Sequence, residues 1–293
     1  MLLKKMKWMI IVICYATGIT VYATSIESKW SISFGQSTDK IQLIDDLVLY
    51  DFEVYNGSLL LCDIAQNKIK RFNSKGINCE TISLPAAPEI IKIRDSSLVI
   101  LLTSSQLGIY DFSKKKLSTL DLKIDIKSFQ YSQAFFIDSL LVIPKSDKFI
   151  SIKSDAYLID ISKLPQLQVI TVKDVYDIDR EITLPEEVLK IGKNNTAYKM
   201  GFCYCSKDVS IIDKYDRNNP QNPNVEYLFY ERNTNRVVNL GSIMENKFGM
   251  VLHTGICRGF KVYKDGIYFI GLKYEKHKEK RLIISKTPFP DLN

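Results

Sequence analysis

Short apolar runs rich in Ile, Val, Leu, Tyr and Phe recur along the chain, and clusters of Asn, Gly, Asp, Ser and Lys separate them. Runs of this kind predict β-strands. Clear examples are residues 58–62, 68–72, 97–102 and 266–272. Between the runs, the pairs Asn56-Gly57 and Asp265-Gly266 favour tight hairpins, because these residue types tolerate a positive φ. No long stretch keeps the 3.6-residue period of an amphipathic helix, so the pattern predicts an all-β chain.

The predicted strands group into repeated units of four. The first two units have similar lengths, and their equivalent positions Phe52 and Ile90 lie 38 residues apart. The last unit lacks its outer strand. The predicted units cover residues 51–84, 89–122, 126–172, 198–240 and 259–288. Four-stranded units of this size are typical of the blades of a β-propeller.

The ends of the chain are predicted to close the ring. A single blade leaves both of its faces apolar, so blades pack side by side, and a closed ring removes free sheet edges. We therefore predict an all-β propeller of five or six four-stranded blades, with a pair of β-sandwiches as the alternative. A sixth blade would have to lie in residues 173–193. Residues 29–34 alternate large apolar side chains with serine, and we expect them to pair near residues 282–285 as the missing outer strand.

The first unit, residues 51–84, carries a family resemblance. Residues 56–63 (NGSLLLCD) combine a glycine turn with an apolar strand that ends in Asp. Residues 67–72 (NKIKRF) place Asn before a basic strand that contains Ile, and residues 74–76 add a second glycine turn. In this order the unit resembles a repeat of the NHL, or six-bladed TolB-like, β-propeller superfamily. The resemblance implies a scaffold or a ligand-binding protein that works at one mouth of the ring, and it assigns no functional residue.

The N-terminal residues have the layout of a targeting segment. Three lysines precede an apolar run over residues 9–21, and Val21 and Ala23 place short side chains at the outer two positions of a cleavage site. The run is shorter than the ~20 residues that span a bilayer as a helix. We therefore predict that residues 1–23 are a signal peptide and that residues 24–293 form one exported propeller domain, periplasmic or extracellular. An uncleaved anchor and a buried N-terminal strand are the alternatives.

The composition and the net charge argue against a nucleic-acid partner. The chain has 293 residues, of which 46% are hydrophobic, and this composition is typical of a globular protein. The formal net charge is +7, and removing the three lysines of residues 1–23 lowers it to +4. A charge this small over so long a chain predicts no nucleic-acid-binding surface. We therefore expect a monomer without a nucleic-acid partner, which contacts a membrane only through residues 1–23.

Five cysteines follow residue 23, and this odd number argues against a disulfide framework. In a propeller, Cys203 or Cys205 would lie on an inner strand next to the inner strand that holds Cys257, so one disulfide, such as Cys205–Cys257, is geometrically conceivable in an exported chain. The alternative is that Cys205 and its neighbour Cys203 pack as small apolar side chains.

Groups for catalysis and for metal binding are scarce. The chain has only two histidines, His253 and His277, and no zinc-type spacing of Cys and His. A nucleophile elbow, a phosphate-binding loop and a dinucleotide-binding glycine motif are all absent from the sequence. We therefore predict no catalytic residue, no cofactor and no metal ligand.

These features favour an exported, non-enzymatic propeller that binds a protein, peptide or glycan through loops at one mouth of the ring. The alternative is a propeller hydrolase or lyase that acts on extracellular glycans with carboxylate, Tyr and Arg side chains. The predicted binding loop is a long polar segment between two strands of the fourth unit. Its candidate residues are Asn218, Asn219, Gln221, Asn222 and Asn224.

Overall fold

The structure, a computed structural model, consists of β-strands and two short 3-10 turns, which confirms the all-β prediction. The described residues are 27–42, 51–127, 134–145, 156–166, 169–172, 198–206, 208–216, 225–234, 236–241, 250–251, 259–273 and 281–289. The 3-10 turns cover Ile64–Gln66 and Ile161–Lys163. No helix in this part of the chain has the length and the apolar character to cross a bilayer.

The described strands form five antiparallel sheets, which are the blades of a propeller. The first strand of the chain is β1 (Glu27–Ser33). Blade 1 contains β2 (Phe52–Tyr55), β3 (Ser58–Asp63), β4 (Lys68–Phe72) and β5 (Asn78–Ser83). Blade 2 contains β6 (Pro88–Arg94), β7 (Ser97–Leu102), β8 (Gln106–Asp111) and β9 (Lys116–Asp121). Blade 3 contains β10 (Phe135–Ile137), β11 (Leu140–Pro144), β12 (Ala156–Asp160) and β13 (Val169–Val172). Blade 4 contains β14 (Tyr198–Cys205), β15 (Val209–Asp216), β16 (Val225–Glu231) and β17 (Arg236–Gly241). Blade 5 contains β18 (Met250–Val251), β19 (Phe260–Tyr263), β20 (Gly266–Lys273) and β21 (Arg281–Thr287), with β1 at its outer edge.

This architecture confirms the resemblance of the sequence to β-propellers. The described residues form five blades, one for each repeat unit found in the sequence. The expectation of a sixth blade concerned residues 173–193, which lie outside the described residues.

The faces of the blades are buried against one another, and this burial explains the continuous apolar runs of the central strands. Successive side chains of β3 point to opposite faces of blade 1. Leu59 and Leu61 join the core that contains β20 and β21 of blade 5, whereas Leu60 and Cys62 join the core shared with blade 2. Further cores pack blade 2 against blade 3 and blade 4 against blade 5. The outermost strand of blade 2, β9, is mostly exposed.

The ring is closed by strands from both ends of the described chain, as predicted. β1 pairs antiparallel with β21, from Glu27 opposite Lys286 to Ser33 opposite Arg281. The indole Nε1 of Trp30 also donates a hydrogen bond to the carbonyl of Asn73 in blade 1, at 2.9 Å. The N-terminal strand thus belongs to blade 5 by its backbone and contacts blade 1 through a side chain.

The topology gives the ring two different faces. In blades 1 to 4 the innermost strand comes first, and the strands are antiparallel neighbours in chain order. In blade 5, β18 and β19 both pair with β20 as two parts of the inner position, and β1 follows β21 at the outer edge. The links between blades, and those between the second and third strands of each blade, must therefore all lie on one face, which we call the loop face. The hairpins between the first and second strands, and between the third and fourth, lie on the opposite face, which we call the turn face.

Candidate functional site

The turn face is built from tight hairpins. Blades 1, 2, 3 and 5 each join the inner strand of the blade to the next strand with only two residues. These pairs are Asn56-Gly57, Asp95-Ser96, Asp138-Ser139 and Lys264-Asp265. In blade 1 both turn residues have a positive φ, 50° at Asn56 and 70° at Gly57, which confirms the predicted hairpin.

Residues 161–168, between β12 and β13, lie on the turn face, but five other connections of more than five residues in blades 3 to 5 belong to the loop face. They start and finish at strand ends on that face, whereas their own residues are outside the described part of the chain. The loop-face connections in blades 3 to 5 include residues 146–155, 173–197, 217–224, 242–249 and 274–280. These five connections on the loop face and the two-residue turns on the turn face make the two faces differ in the length of their connections.

The predicted binding loop is one of these loop-face segments. Its five candidates, Asn218, Asn219, Gln221, Asn222 and Asn224, lie outside the described residues. β15 ends at Asp216 and β16 begins at Val225, so the segment leaves and re-enters blade 4 at the loop face. The two flanking strand ends lie at the loop face, and the role of the loop in binding stays a prediction.

The conceivable disulfide between Cys205 and Cys257 is not tested by the described residues. Cys205 lies on β14, the inner strand of blade 4, together with Cys203, whereas Cys257 lies outside the described residues. Of the other cysteines, Cys62 is buried between blades 1 and 2, and Cys79 is exposed on β5.

A cluster of buried charges lies at the centre of the ring, where the inner strands meet. Asp51, which directly precedes β2, has no exposed surface, and Glu53 on β2 is also buried. Lys261 on β19 brings its Nζ to 3.0 Å from Asp51 Oδ1 and to 3.4 Å from Glu53 Oε1. These are ion pairs rather than well-directed hydrogen bonds. The contacts connect the inner strands of blades 1 and 5, the first and last blades of the ring.

Neutral partners complete the central cluster. The hydroxyl of Tyr263 donates to Glu53 Oε2 at 2.7 Å and accepts from the backbone N–H of Val54 at 2.8 Å. The backbone N–H of Ile91 on β6 donates to Asp51 Oδ2 at 2.7 Å. Each carboxylate of the cluster therefore has one contact with the ammonium and one with a hydrogen-bond donor, as buried charges require.

The electrostatics of the centre favour a charged lysine and neutral tyrosines. Burial by itself lowers the pKa of Lys261, but attraction by Asp51 and Glu53 outweighs burial, so the pKa is above its usual range. Burial, followed by the charge of Glu53, raises the pKa of Tyr263 well above 10. On β14, burial and then Asp138 raise the pKa of Tyr204 to about 12.

A second buried ion pair holds the segment that leads from β1 toward blade 1. Lys70 Nζ lies 2.9 Å from Asp63 Oδ2, and both side chains are almost fully buried. The same ammonium donates to the backbone carbonyls of Lys40 and Ser37. This pair therefore supports ring closure from the side of blade 1.

The buried charges of the centre explain the fold rather than a reaction. Asp51 and Glu53 are enclosed and engaged by Lys261, Tyr263 and a backbone amide, so they offer no free carboxylate to a substrate. The described residues also contain no group of three or more His, Cys, Asp and Glu side chains arranged to hold a metal ion.

Sequence reasoning missed this cluster although the repeat contains a signal for it. Residues 52–55 read FEVY and residues 260–263 read FKVY, at the same place in units one and five. Glu53 and Lys261 thus occupy equivalent positions with opposite charges. In a closed ring these two units are neighbours, and the motif therefore indicates an ion pair between them.

Comparisons with known proteins find distant similarities among solved structures. No family model and no curated protein matches the sequence. Among solved structures, a member of the DUF4221 family from Bacteroides vulgatus is 10% identical over 87% of this chain and 81% of that chain, with a TM-score of 0.35. BamB from Moraxella catarrhalis is 10% identical over 80% of this chain, with a TM-score of 0.30, and this chain spans only 56% of its length. The calcium-binding protein regucalcin from Agrobacterium tumefaciens is 11% identical over 80% of this chain and 74% of that chain, with a TM-score of 0.34.

Proposed function

We propose that the protein is an exported, non-enzymatic β-propeller that binds a protein, peptide or glycan partner through its loop face. The observation that carries this proposal is the inequality of the two faces. The two-residue hairpins of blades 1, 2, 3 and 5 lie on the turn face, whereas long connections such as residues 173–197 and 217–224 begin and end at the loop face. Binding residues concentrate on loops that a rigid scaffold positions.

The centre of the ring supports a scaffold role. Lys261 links Asp51 and Glu53 across the first and last blades, and this contact keeps the inner strands in fixed positions. A ring fixed at its centre and closed at its edge presents its loops at constant distances. Constant spacing reduces the entropy that a binding surface loses when its partner docks.

Export is proposed from residues 1–23, whose basic start and apolar run are typical of a signal peptide. N-terminal mass spectrometry of the protein secreted by its host tests this part of the proposal. A mature chain that begins after Ala23 supports export, and retention of the unprocessed chain in the cytosol contradicts it.

Loop replacement tests binding at the loop face. In one variant of the mature chain, a short Gly-Ser link replaces residues 217–224; in a control variant, Lys114→Ser and Lys115→Ser change a turn-face hairpin of similar polarity. Each chain is tested against an array of glycans and against envelope proteins, and the dissociation constant is measured for the ligand that wild type binds. We expect the loop variant to lose affinity at least tenfold and to keep its melting temperature within a few degrees. Equal affinity of the loop variant and wild type would exclude this loop as a binding element.

The alternative function, a hydrolase or lyase of extracellular glycans, makes a different prediction. It requires turnover of a polysaccharide or glycoside by the mature chain, with or without calcium. Saturable binding without turnover supports the binding protein, whereas turnover that follows Michaelis kinetics supports the enzyme.

A further inference from the structure

We infer that Asn56 is a site of spontaneous covalent modification, at which the side-chain amide is lost and the main chain rearranges to isoaspartate. The site lies on the turn face, in the hairpin that joins β2 to β3. The inference concerns the folded ring alone, so it is independent of export and of binding at the loop face.

The reaction requires only an asparagine, the backbone amide that follows it, and water. The nitrogen of residue 57 attacks the side-chain carbonyl carbon of Asn56, a new C–N bond closes a five-membered imide, and the side-chain nitrogen leaves as ammonia with the proton of the amide. Water then opens the imide at one of its two carbonyls and gives aspartate or isoaspartate. A following glycine favours ring closure because it has no β-carbon to shield the nitrogen. Asn56-Gly57 is the only Asn-Gly pair in the sequence.

The hairpin leaves both reacting groups accessible. Asn56 and Gly57 are exposed. Within the described part of the chain, no hydrogen bond holds the side chain of Asn56 or the N–H of Gly57. The space that a β-carbon of Gly57 would occupy is also open, without a neighbouring atom within 4 Å. The nitrogen therefore reaches the carbonyl carbon by rotation within the turn, and no packed side chain has to move.

Asn73, in the hairpin between β4 and β5, shows how the fold protects an asparagine from this reaction. Its Oδ1 accepts hydrogen bonds from the backbone N–H groups of Lys75 at 2.9 Å and of Ile77 at 3.1 Å. These bonds fix the side-chain carbonyl, so it is not free to turn toward the nitrogen of Ser74. We therefore expect the fold to suppress the reaction at Asn73 and to permit it at Asn56.

Isoaspartate at position 56 would disturb the strand that holds the central cluster. It adds one carbon atom to the main chain of a two-residue turn, and the length of such a turn fixes the register of its strands. In the present register Tyr55 lies opposite Ser58. β2 also carries Glu53, whose contact with Lys261 joins the first and last blades. The modification should therefore weaken the ring at this junction.

Peptide mass spectrometry after incubation at mildly alkaline pH tests the inference. The mature chain carries the substitution Ser74→Gly, so that one molecule contains two Asn-Gly pairs, at residues 56–57 and 73–74. Loss of the amide at each pair is followed with time in the folded chain and in the same chain unfolded in guanidinium chloride. Fragmentation that distinguishes aspartate from isoaspartate identifies the products. Because the two pairs share one dipeptide, a difference between them in the folded chain reports on the structure.

We expect the two pairs to react at similar rates in the unfolded chain, and Asn56 to react at least fivefold faster than Asn73 in the folded chain. Equal rates in the folded chain would overturn the inference. It would also be overturned if Asn56 stayed intact in the folded chain over the time in which the unfolded chain reacts completely.

Thermal unfolding tests the effect on the ring. The isoaspartate form of the chain with its natural Ser74, separated by ion exchange, is compared with freshly purified Asn56→Asp, which has the same added charge without the added main-chain atom. We expect the isoaspartate form to melt several degrees below this variant. Equal melting temperatures would show that β2 tolerates the longer turn, and the predicted weakening of the junction would be wrong.

Discussion

Glu53 and Lys261 occupy the same position of the first and the fifth blade, and they meet at the centre of the ring with Lys261 Nζ 3.4 Å from Glu53 Oε1. Two copies of one repeat position have therefore acquired opposite charges. Because the pair lies between the first and last blades, it adds a contact across the junction that β1 closes at the outer edge.

Removing Lys261 from the central cluster is expected to lower the free energy of unfolding substantially. Lys261→Met leaves Asp51 and Glu53 buried without a positive charge, and breaking a buried pair on one side costs about 3–5 kcal/mol. Urea unfolding of the mature chain measures this loss. The double variant Lys261→Met, Glu53→Gln removes one negative charge and keeps an acceptor for Tyr263, so it should recover part of the stability. A single variant within about 1 kcal/mol of wild type would contradict a buried ion pair.

The central groups also predict a loss of stability at alkaline pH. The pKa values of Lys261 and Tyr263 are raised in the folded ring, and that of Tyr204 is raised to about 12. The unfolded chain loses these protons first, near pH 10, so the free energy of unfolding falls as pH rises from about 10 toward the folded pKa values. Each group contributes a slope of up to about 1.4 kcal/mol per pH unit.

Urea unfolding of wild type and Tyr263→Phe between pH 8 and 11.5 checks the alkaline effect. The variant lacks one of the groups whose pKa is raised in the folded ring, so its stability should fall less steeply above pH 10. Parallel curves for the two proteins would show that Tyr263 titrates alike in the folded and unfolded states.

Two glycines at turn-face hairpins predict unequal effects of the same substitution. Gly57 has φ +70° and open space where the methyl group of alanine would lie. Gly57→Ala should therefore destabilise the fold only through the strain of an alanine in the left-handed conformation, about 1–2 kcal/mol. Gly266 has φ +143°, and a β-carbon there would lie 2.5 Å from the carbonyl oxygen of Thr287 on β21. Gly266→Ala should therefore destabilise the ring more than Gly57→Ala. Thermal unfolding of both variants tests the order, and a reversed order would contradict the close approach of β20 and β21.

Deleting residues 24–35 removes β1 and exposes the edges that it covers. The truncated chain should aggregate or lose much of its stability, because an uncovered sheet edge can pair with other chains. Light scattering and thermal unfolding measure both effects against the chain that starts at residue 24. A truncated chain that remains monomeric and melts within a few degrees of this control would show that β1 is dispensable for closure.

The repeat units were predictable because strand composition and turn residues are local signals. The first unit, predicted over residues 51–84, contains β2 to β5, and the predicted closing strand at residues 29–34 overlaps β1. The central cluster was not predicted because it depends on contacts between residues about two hundred positions apart in sequence. Buried charges within strands, such as Lys70, run against the usual expectation that lysine is exposed, and only the tertiary structure provides their partners.

Binding through the loop face is tested most directly by amide hydrogen exchange of the mature chain with and without a saturating partner. The measurement needs no substitution and reports on both faces at once. Slower exchange confined to peptides that cover loop-face connections, such as residues 173–197, 217–224 and 242–249, is the predicted result. Slower exchange at the turn-face hairpins, at residues 56–57, 95–96 and 264–265, with unchanged exchange in the loop-face peptides, would contradict it.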